Sequence, residues 1–259
     1  SEGVTVEKSR LRNNMSSIVL SGSLNNNSGK GILSNSVSGA TGSGIFLTSS
    51  SNTNSVLSNL SFSNGQAGLN IESSSSNTIS SNMSYGNGTL GLNPYGIWVR
   101  TSSNNNTLSS NTSYGNASYG IYLDSSSNNT LSSSTIFDNG SDGIFIYAPS
   151  VVSANNLVIS NTVYNHASGD ITAQNAGNNI LIANTTYRAT NHGLYLYGSD
   201  NNTFIANNSY SNQNGLSLQG GNTSNNIVIN DTYGGSGANT GADAMFHTVV
   251  VSKIRFYNG

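Results

Sequence analysis

Asn106-Thr-Leu-Ser-Ser-Asn111-Thr-Ser-Tyr114-Gly-Asn116-Ala-Ser-Tyr-Gly120-Ile-Tyr-Leu123 is one copy of a phrase that recurs along most of the 259-residue chain. Its Asn111 falls in a column with Asn35, Asn59, Asn82, Asn161, Asn184 and Asn207, and Ser9, Ser134 and Asp231 fill the places where Asn is missing. The steps between successive members are 26, 24, 23, 29, 23, 27, 23, 23 and 24 residues. A period of that size marks a solenoid, in which each unit buries its apolar face only against its neighbours.

Each unit holds two apolar patterns. One is a Gly-Ile-x-Leu phrase: Gly44-Ile-Phe-Leu47, Gly68-Leu-Asn-Ile71, Gly96-Ile-Trp-Val99, Gly120-Ile-Tyr-Leu123, Gly143-Ile-Phe-Ile146, Gly193-Leu-Tyr-Leu196 and Gly215-Leu-Ser-Leu218, with Asp170-Ile-Thr-Ala173 as a degenerate copy. Its apolar residues sit two apart, the period of a strand. The other carries Val56, Ile79, Leu108, Leu131, Val158, Leu181, Phe204 and Val228, each three residues before the Asn column. No apolar stripe of helical period is present. Two strands per unit, a bend and a Ser/Asn loop stack as an all-β, right-handed, single-stranded parallel β-helix of about ten coils. It forms one domain over 1–259, with atypical capping or assembly coils at 1–16 and 241–259. The Asn column reads as a side-chain amide ladder at one corner of the coil. A second column five residues on (Asn14, Asn64, Asn87, Asn116, Asn139, Asn212) reads as another.

Asn, Ser, Thr and Gly make up 143 of the residues and only 7% are charged. Without the repeat, such a composition would suggest disorder. The net charge of −2 and the lack of a basic run give no reason to expect a nucleic-acid partner. No run of about eighteen apolar residues is present to span a membrane. Cysteine is absent, so there is neither a disulfide framework nor a Cys-ligated metal. A start at Ser1-Glu2-Gly3 without Met suggests a processed or excised segment.

The phrase Ser-Asn-Asn-Thr-Leu-Ser-Ser, then Asn or Ser, then Tyr-Gly-Ile-Tyr-Leu, resembles the parallel β-helix repeats of the NosD-like family, whose relatives abound in archaeal and bacterial surface proteins. The resemblance covers nearly the whole chain and implies the fold. The same repeat carries lyases, hydrolases, tailspikes, adhesins and structural proteins, so it implies no one activity. The link of that family's name to copper finds no counterpart here. His166, His192, His247, Met15, Met83 and Met245 are scattered without ligand spacing, and neither a metal nor another cofactor is expected.

On the Gly-Ile-x-Leu strand, alternation turns Phe46, Asn70, Trp98, Tyr122, Phe145, Thr172, Tyr195 and Ser217 outward. Two residues on, Thr48, Glu72, Arg100, Asp124, Tyr147, Gln174, Tyr197 and Gln219 turn outward as well. This predicts an exposed aromatic stripe (Phe46, Trp98, Tyr122, Phe145, Tyr195, Tyr147, Tyr197) for a polysaccharide or a second rod, against the plainer role of stiffening the sheet. A third column, Phe62, Tyr85, Tyr114, Phe137, Tyr164, Tyr187 and Tyr210, is still more regular. Glu72, Arg100 and Asp124 fall in successive coils. Two carboxylates flanking an arginine suit a polysaccharide lyase or hydrolase, and equally an opposite-charge ladder.

Asn-x-Ser/Thr sequons abound. Those in the ladder should be buried, leaving Asn26, Asn105, Asn128, Asn201 and Asn222 in the Ser/Asn loops as glycosylation candidates. The two ends align, Val4-Thr-Val-Glu-Lys8-Ser-Arg10 with Val249-Val-Val-Ser-Lys253-Ile-Arg255, and hold most of the basic residues. The leading reading is an extracellular, cell-surface, non-catalytic protein that assembles with itself or adheres. The alternatives are a carbohydrate-binding or polysaccharide-degrading module and a viral tail-fibre segment.

Overall fold

The structure, a computed structural model, describes residues 4–23, 31–148, 155–220, 223–234, 239, 244–247 and 255–257. The chain winds as a parallel β-solenoid whose strands stack into three sheets of 11, 10 and 10 members. In the coil that opens at Thr107, the strands are Thr107–Ser109 in the first sheet, Thr112–Tyr114 in the second and Ile121–Asp124 in the third. Equivalent residues pair in register, as Ile79 with Leu108 and Leu131, or Val99 with Leu123.

Three strands per coil replace the two expected from the sequence. The extra break lies inside the segment from Leu108 to Tyr114. Ser110, ahead of the ladder Asn, takes a left-handed backbone conformation, and so do Ser58, Ser81 and Ser160, all with φ between 54° and 56°. Such a conformation is uncommon outside glycine, and nothing in the alternation Leu-Ser-Ser-Asn-Thr-Ser-Tyr announces it. The same two-residue corner, a left-handed residue and then a buried Asn, recurs at Gly115-Asn116 and at Asn128-Asn129. Each coil therefore turns three times by one device.

Inside the coil, Ile and Leu of the third sheet meet the central residues of the first in one continuous apolar stack, which includes Leu108, Ile121, Leu123, Leu131, Ile144, Val158 and Phe204. The second sheet contributes small residues such as Ser61, Ser84 and Ser113. Their hydroxyls donate to the carbonyls of Gly68, Gly96 and Gly120 at 2.7–2.8 Å. That contact explains the Gly column: a Cβ on Gly96 would run into Ser113 Oγ, Asn116 Nδ2 and the Gly120 carbonyl.

The ladders satisfy most of the amide groups they bury; among the described residues Asn54 Oδ1 and Asn129 Nδ2 lack a partner. Asn59 donates through Nδ2 to Asn82 Oδ1 at 3.0 Å and to the Ile32 carbonyl at 2.8 Å. Its Oδ1 accepts from the backbone N and Nδ2 of Asn35 at 2.9 and 3.0 Å. The second column behaves alike from Asn64 through Asn139, with Nδ2 to Oδ1 distances of 2.9 Å. Asn14 is exposed and stands outside it. A third ladder was not foreseen: Asn54, Asn77, Asn106, Asn129, Asn156, Asn179, Asn202 and Asn226, all buried at the corner between the third and first sheets. Beside it Ser51, Ser74, Ser103 and Ser126 form a parallel hydroxyl row.

At the first coil Val4, Val6 and Leu11 are only partly buried, while Lys8, Arg10 and Arg12 are exposed. Val249-Val-Val251 and Lys253 lie outside the described residues.

Candidate functional site on the third sheet

The two outward columns of the third sheet are in the register that alternation gives: Asn70 beside Trp98 and Tyr122, and Glu72 beside Arg100 and Asp124. The stripe is not exposed at its centre. Trp98, Tyr122 and Phe145 keep only 6%, 8% and 8% of their surface. Phe46, Tyr147 and Tyr195 are half-buried, and Tyr197 alone of the seven stays open at 43%. The covering groups are Tyr95 and Tyr119, which sit just ahead of their strands and fold over them. Tyr95 meets Trp98 and Tyr122 edge-on at 5.0 and 5.1 Å, and Tyr119 stacks on Phe145 at 4.5 Å. Arg100 closes the other side, with its guanidinium carbon 4.0 Å from the Trp98 ring centre. The result is a second apolar cluster outside the coil, where aromatic contacts add about 0.5–1.5 kcal/mol each to the area they bury.

Of the charged trio, only one pair is joined. Arg100 Nη2 lies 3.1 Å from Glu72 Oε1. Asp124, level with Arg100 in the next coil, instead accepts from Ser125 Oγ at 3.0 Å. Both members of the ion pair are about a quarter exposed, so its worth is small. Among the described residues, Asn70 Oδ1, Trp98 Nε1 and Arg100 Nε are buried with no hydrogen-bond partner. Three such atoms on two adjacent strands are a concentration that a folded protein rarely leaves.

The site lies next to the 29-residue step of the repeat. Its extra residues enter between the ladder residue Asn87 and Gly96, as a turn closed by Gly91 N donating to the Gly88 carbonyl at 3.0 Å. The turn holds Leu90 and Leu92 at 60% and 65% exposure.

Further along the same face, Asp142 is buried and accepts from Thr172 Oγ1 at 2.7 Å, Gly169 N at 3.0 Å and Ser141 Oγ at 3.2 Å. Burial raises its pKa, and those hydrogen bonds oppose the rise. Burial, with Asp142 adding to it, pushes the Tyr119 hydroxyl up to about 12. It also raises Tyr195, to which Tyr197 and then Asp142 add. His192 contacts Tyr195 at 4.6 Å, and its pKa is lowered by burial. Sequence reasoning did not assemble this group, because Asp142 and His192 precede the Gly-Ile-x-Leu phrases whose alternation sets the outward columns. The Tyr-Gly-Ile phrases at Tyr95 and Tyr119 were the available signal for the covering rings.

His166 and Asp170 are joined at 2.7 Å but lie wholly inside the coil. His166 takes a place in the second ladder, where Asn139 Nδ2 reaches its Nε2 at 3.2 Å. Burial drives the His166 pKa down to about 3 and that of Asp170 well up. This pair continues a ladder and faces no substrate. No group of three His, Asp or Glu side chains able to hold a metal is present among the described residues. Of the glycosylation candidates, Asn105, Asn128 and Asn201 are exposed, while Asn26 and Asn222 lie outside the described residues. The ladder sequons Asn59, Asn82, Asn111, Asn184 and Asn207 are buried.

Three stacked parallel sheets define a parallel β-solenoid. The chain belongs to the right-handed β-helix family: the profile described as "right handed beta helix region" matches residues 23–162 and 95–251. Among solved structures it is similar to the A-module of the Azotobacter vinelandii mannuronan C-5 epimerase AlgE6 (TM-score 0.72, 15% identity, 100% of this chain and 75% of that one). It is also similar to the Dettilon tailspike protein (0.61, 12%, 92% and 61%) and to the pectate lyase Pel9A (0.57, 11%, 98% and 68%). At such identities the likeness shows the fold. No curated protein matches the sequence significantly.

Proposed function

We propose that the protein is a polysaccharide-binding β-helix module that works outside the cytoplasm and takes a neutral glycan along the outer face of its third sheet. The observation that carries this reading is the aromatic cluster whose outer rings, Tyr95, Tyr119 and Tyr147, stay half-exposed around the partly exposed Glu72–Arg100 pair. Flat apolar faces with a few polar groups beside them are what a sugar ring needs: CH faces to lie on a ring, hydroxyls to meet a carboxylate or a guanidinium. The similar epimerase and lyase structures are named for acting on polysaccharides, which supports this alternative over the self-assembling scaffold that the sequence put first.

Charge selects the glycan. On the outer face of the third sheet Arg100 is the one Lys or Arg side chain among the described residues, and Glu72 already pairs with it, while burial lowers the pKa of His192. Asp124 and Asp142 add acidic groups. A polyuronate would bring repeated carboxylates to a face with no free cation, so neutral sugars are favoured.

The test is electrophoresis of the folded protein through gels containing soluble neutral glucans, mannans or xylans, and in parallel polygalacturonate or alginate. A neutral glycan should retard it and the polyuronates should not. Arg100→Ala and Tyr197→Ala, on partly exposed residues, should each weaken retardation about tenfold with the circular dichroism spectrum unchanged, as truncation of an anchoring contact does. Stronger retention by a polyuronate, or indifference to both substitutions, overturns the assignment.

A further inference from the structure

The second sheet carries an aromatic array that the third-sheet site does not use. Phe62, Tyr85, Tyr114, Phe137, Tyr164, Tyr187 and Tyr210 stack in six consecutive steps of 4.6–5.3 Å, with ring planes within 8° of one another. The register of the parallel strands sets this spacing, since each ring pairs with its equivalent one coil away. Every ring is half-buried, so its inner part packs on the sheet and its outer edge meets solvent.

Stacking accounts for the rings but not for the hydroxyls. Two of the seven positions are Phe, which shows that the stack forms without an oxygen. The other five are Tyr, and none of their hydroxyls is bonded to the protein among the described residues. The column two residues earlier on the same face runs Leu60, Met83, Thr112, Thr135, Thr162, Thr185 and Asn208, and its four consecutive threonines add a second, shorter row of hydroxyls at the same spacing. Charge is sparse: among the described residues Asp138 and Arg188, at the neighbouring corner, are the only ionic side chains beside the seven rings, Asp138 is engaged by Asn165, and Arg10 and Arg12 continue the two columns two coils ahead of Phe62.

We infer that this face is a second docking surface, for an extended neutral polysaccharide presented as a regular array, such as a chain on the surface of a crystalline glycan. Hydroxyls at coil spacing on a flat strip with little charge, most of them between Tyr114 and Tyr187, match a partner whose own hydroxyls repeat at about one strand spacing of 4.7–4.9 Å. The stacked rings show their edges outward, so recognition comes from the hydroxyl rows rather than from sugar lying on ring faces. The inference rests on the polysaccharide reading of the third sheet but uses different residues, and the two can fail separately.

The experiment is co-sedimentation of the full chain with microcrystalline cellulose, crystalline mannan and chitin, beside the soluble-glycan gels described above. The variant is the triple Tyr114→Phe/Tyr164→Phe/Tyr187→Phe, which keeps the stack and leaves the third sheet untouched. Adsorption to at least one solid, weakened tenfold or more in the triple Phe variant while its retardation by soluble glycans stays that of the wild type, is the expected result. Equal adsorption of the triple Phe variant and the wild type overturns it, as does adsorption to none of the solids while soluble glycans still bind. If sedimentation equilibrium shows dimers of the wild type that the triple Phe variant lacks, the strip packs copies of this chain and the inference also falls. Failure on solids and on soluble glycans together removes the reading of both faces.

Discussion

Replacing Asn82 by Ala should remove as many hydrogen bonds as the loss of any single amide in the first ladder. Asn82 is buried. It accepts from Asn59 N at 2.9 Å and Asn59 Nδ2 at 3.0 Å, and donates to the Val56 carbonyl at 2.8 Å and Asn111 Oδ1 at 3.1 Å. The Ala variant leaves two donors on Asn59 without that acceptor, in a place water does not reach, while Asn111 Oδ1 keeps the backbone N of residue 82. An unsatisfied buried group costs about 1–3 kcal/mol, so the expected loss is about 2–5 kcal/mol. Ser134 calibrates a milder change: its hydroxyl accepts from Asn111 N at 3.1 Å and still leaves the side-chain chain broken. Asn82→Ser should therefore fall between Ala and wild type. Asn82→Asp keeps both acceptor functions but sets a carboxylate against Asn111 Oδ1, and burial raises its pKa. A raised folded pKa gives stability that is present at low pH and lost as pH rises through it, so this variant should recover on acidification. Urea unfolding measures the total. Hydrogen exchange at the amides of residues 35 and 59 should show the weakness local to neighbouring coils, as stability in a solenoid is a nearest-neighbour sum. An Ala variant within about 0.5 kcal/mol of wild type, the range of an ordinary surface change, would refute the ladder as a source of stability.

Three further outcomes follow. Asp231 ends the same ladder, accepting from Asn207 N at 2.8 Å, and burial raises its pKa despite the hydrogen bonds it receives. Asp231→Asn should stabilise more at pH 7 than at pH 4, because the penalty on the wild-type carboxylate appears only as pH rises through its folded pKa; thermal melts at the two values decide it. Trp98→Ala should cost about 3–5 kcal/mol, the figure for a buried ring, and a melting temperature close to wild type would return Trp98 to the open stripe expected from alternation. Expressed in a host that glycosylates sequons, the chain should carry sugar at Asn105, Asn128 and Asn201 and none at Asn59, Asn82 or Asn111, with peptide mapping as the readout.

The repeat made the fold legible because Asn, apolar residue and Gly recur at intervals that only a coil of fixed circumference explains. The register of Glu72, Arg100 and Asp124 could be read the same way, since alternation and period determine it. Exposure could not. Trp98 points outward as alternation requires, yet it is buried, because Tyr95 and Tyr119 precede their strands and fold back over the rings. Strand periodicity says nothing about side chains outside the strand. The third ladder was present in the spacing, with Asn54, Asn77 and Asn106 each five residues before the first column. It was hidden because Asn beside Asn in a Ser-rich stretch looks like a loop, whereas one of each pair is exposed and the next buried.

What distinguishes one coil from another is then the place to seek function. Three ladders hold each coil to one length at its corners, so added chain has to loop out between corners to keep the stack. The longest step does so between Asn87 and Gly96, where it brings Tyr95 over Trp98 and leaves Leu90 and Leu92 exposed on the turn. Another departure, His166 with Asp170 in place of Asn and Gly, stays inside the coil and rejoins the second ladder through Asn139, with Asp170 Oδ2 left unpartnered. The first lies on the outer surface and the second inside the coil, so of the two only the first can be reached by a partner.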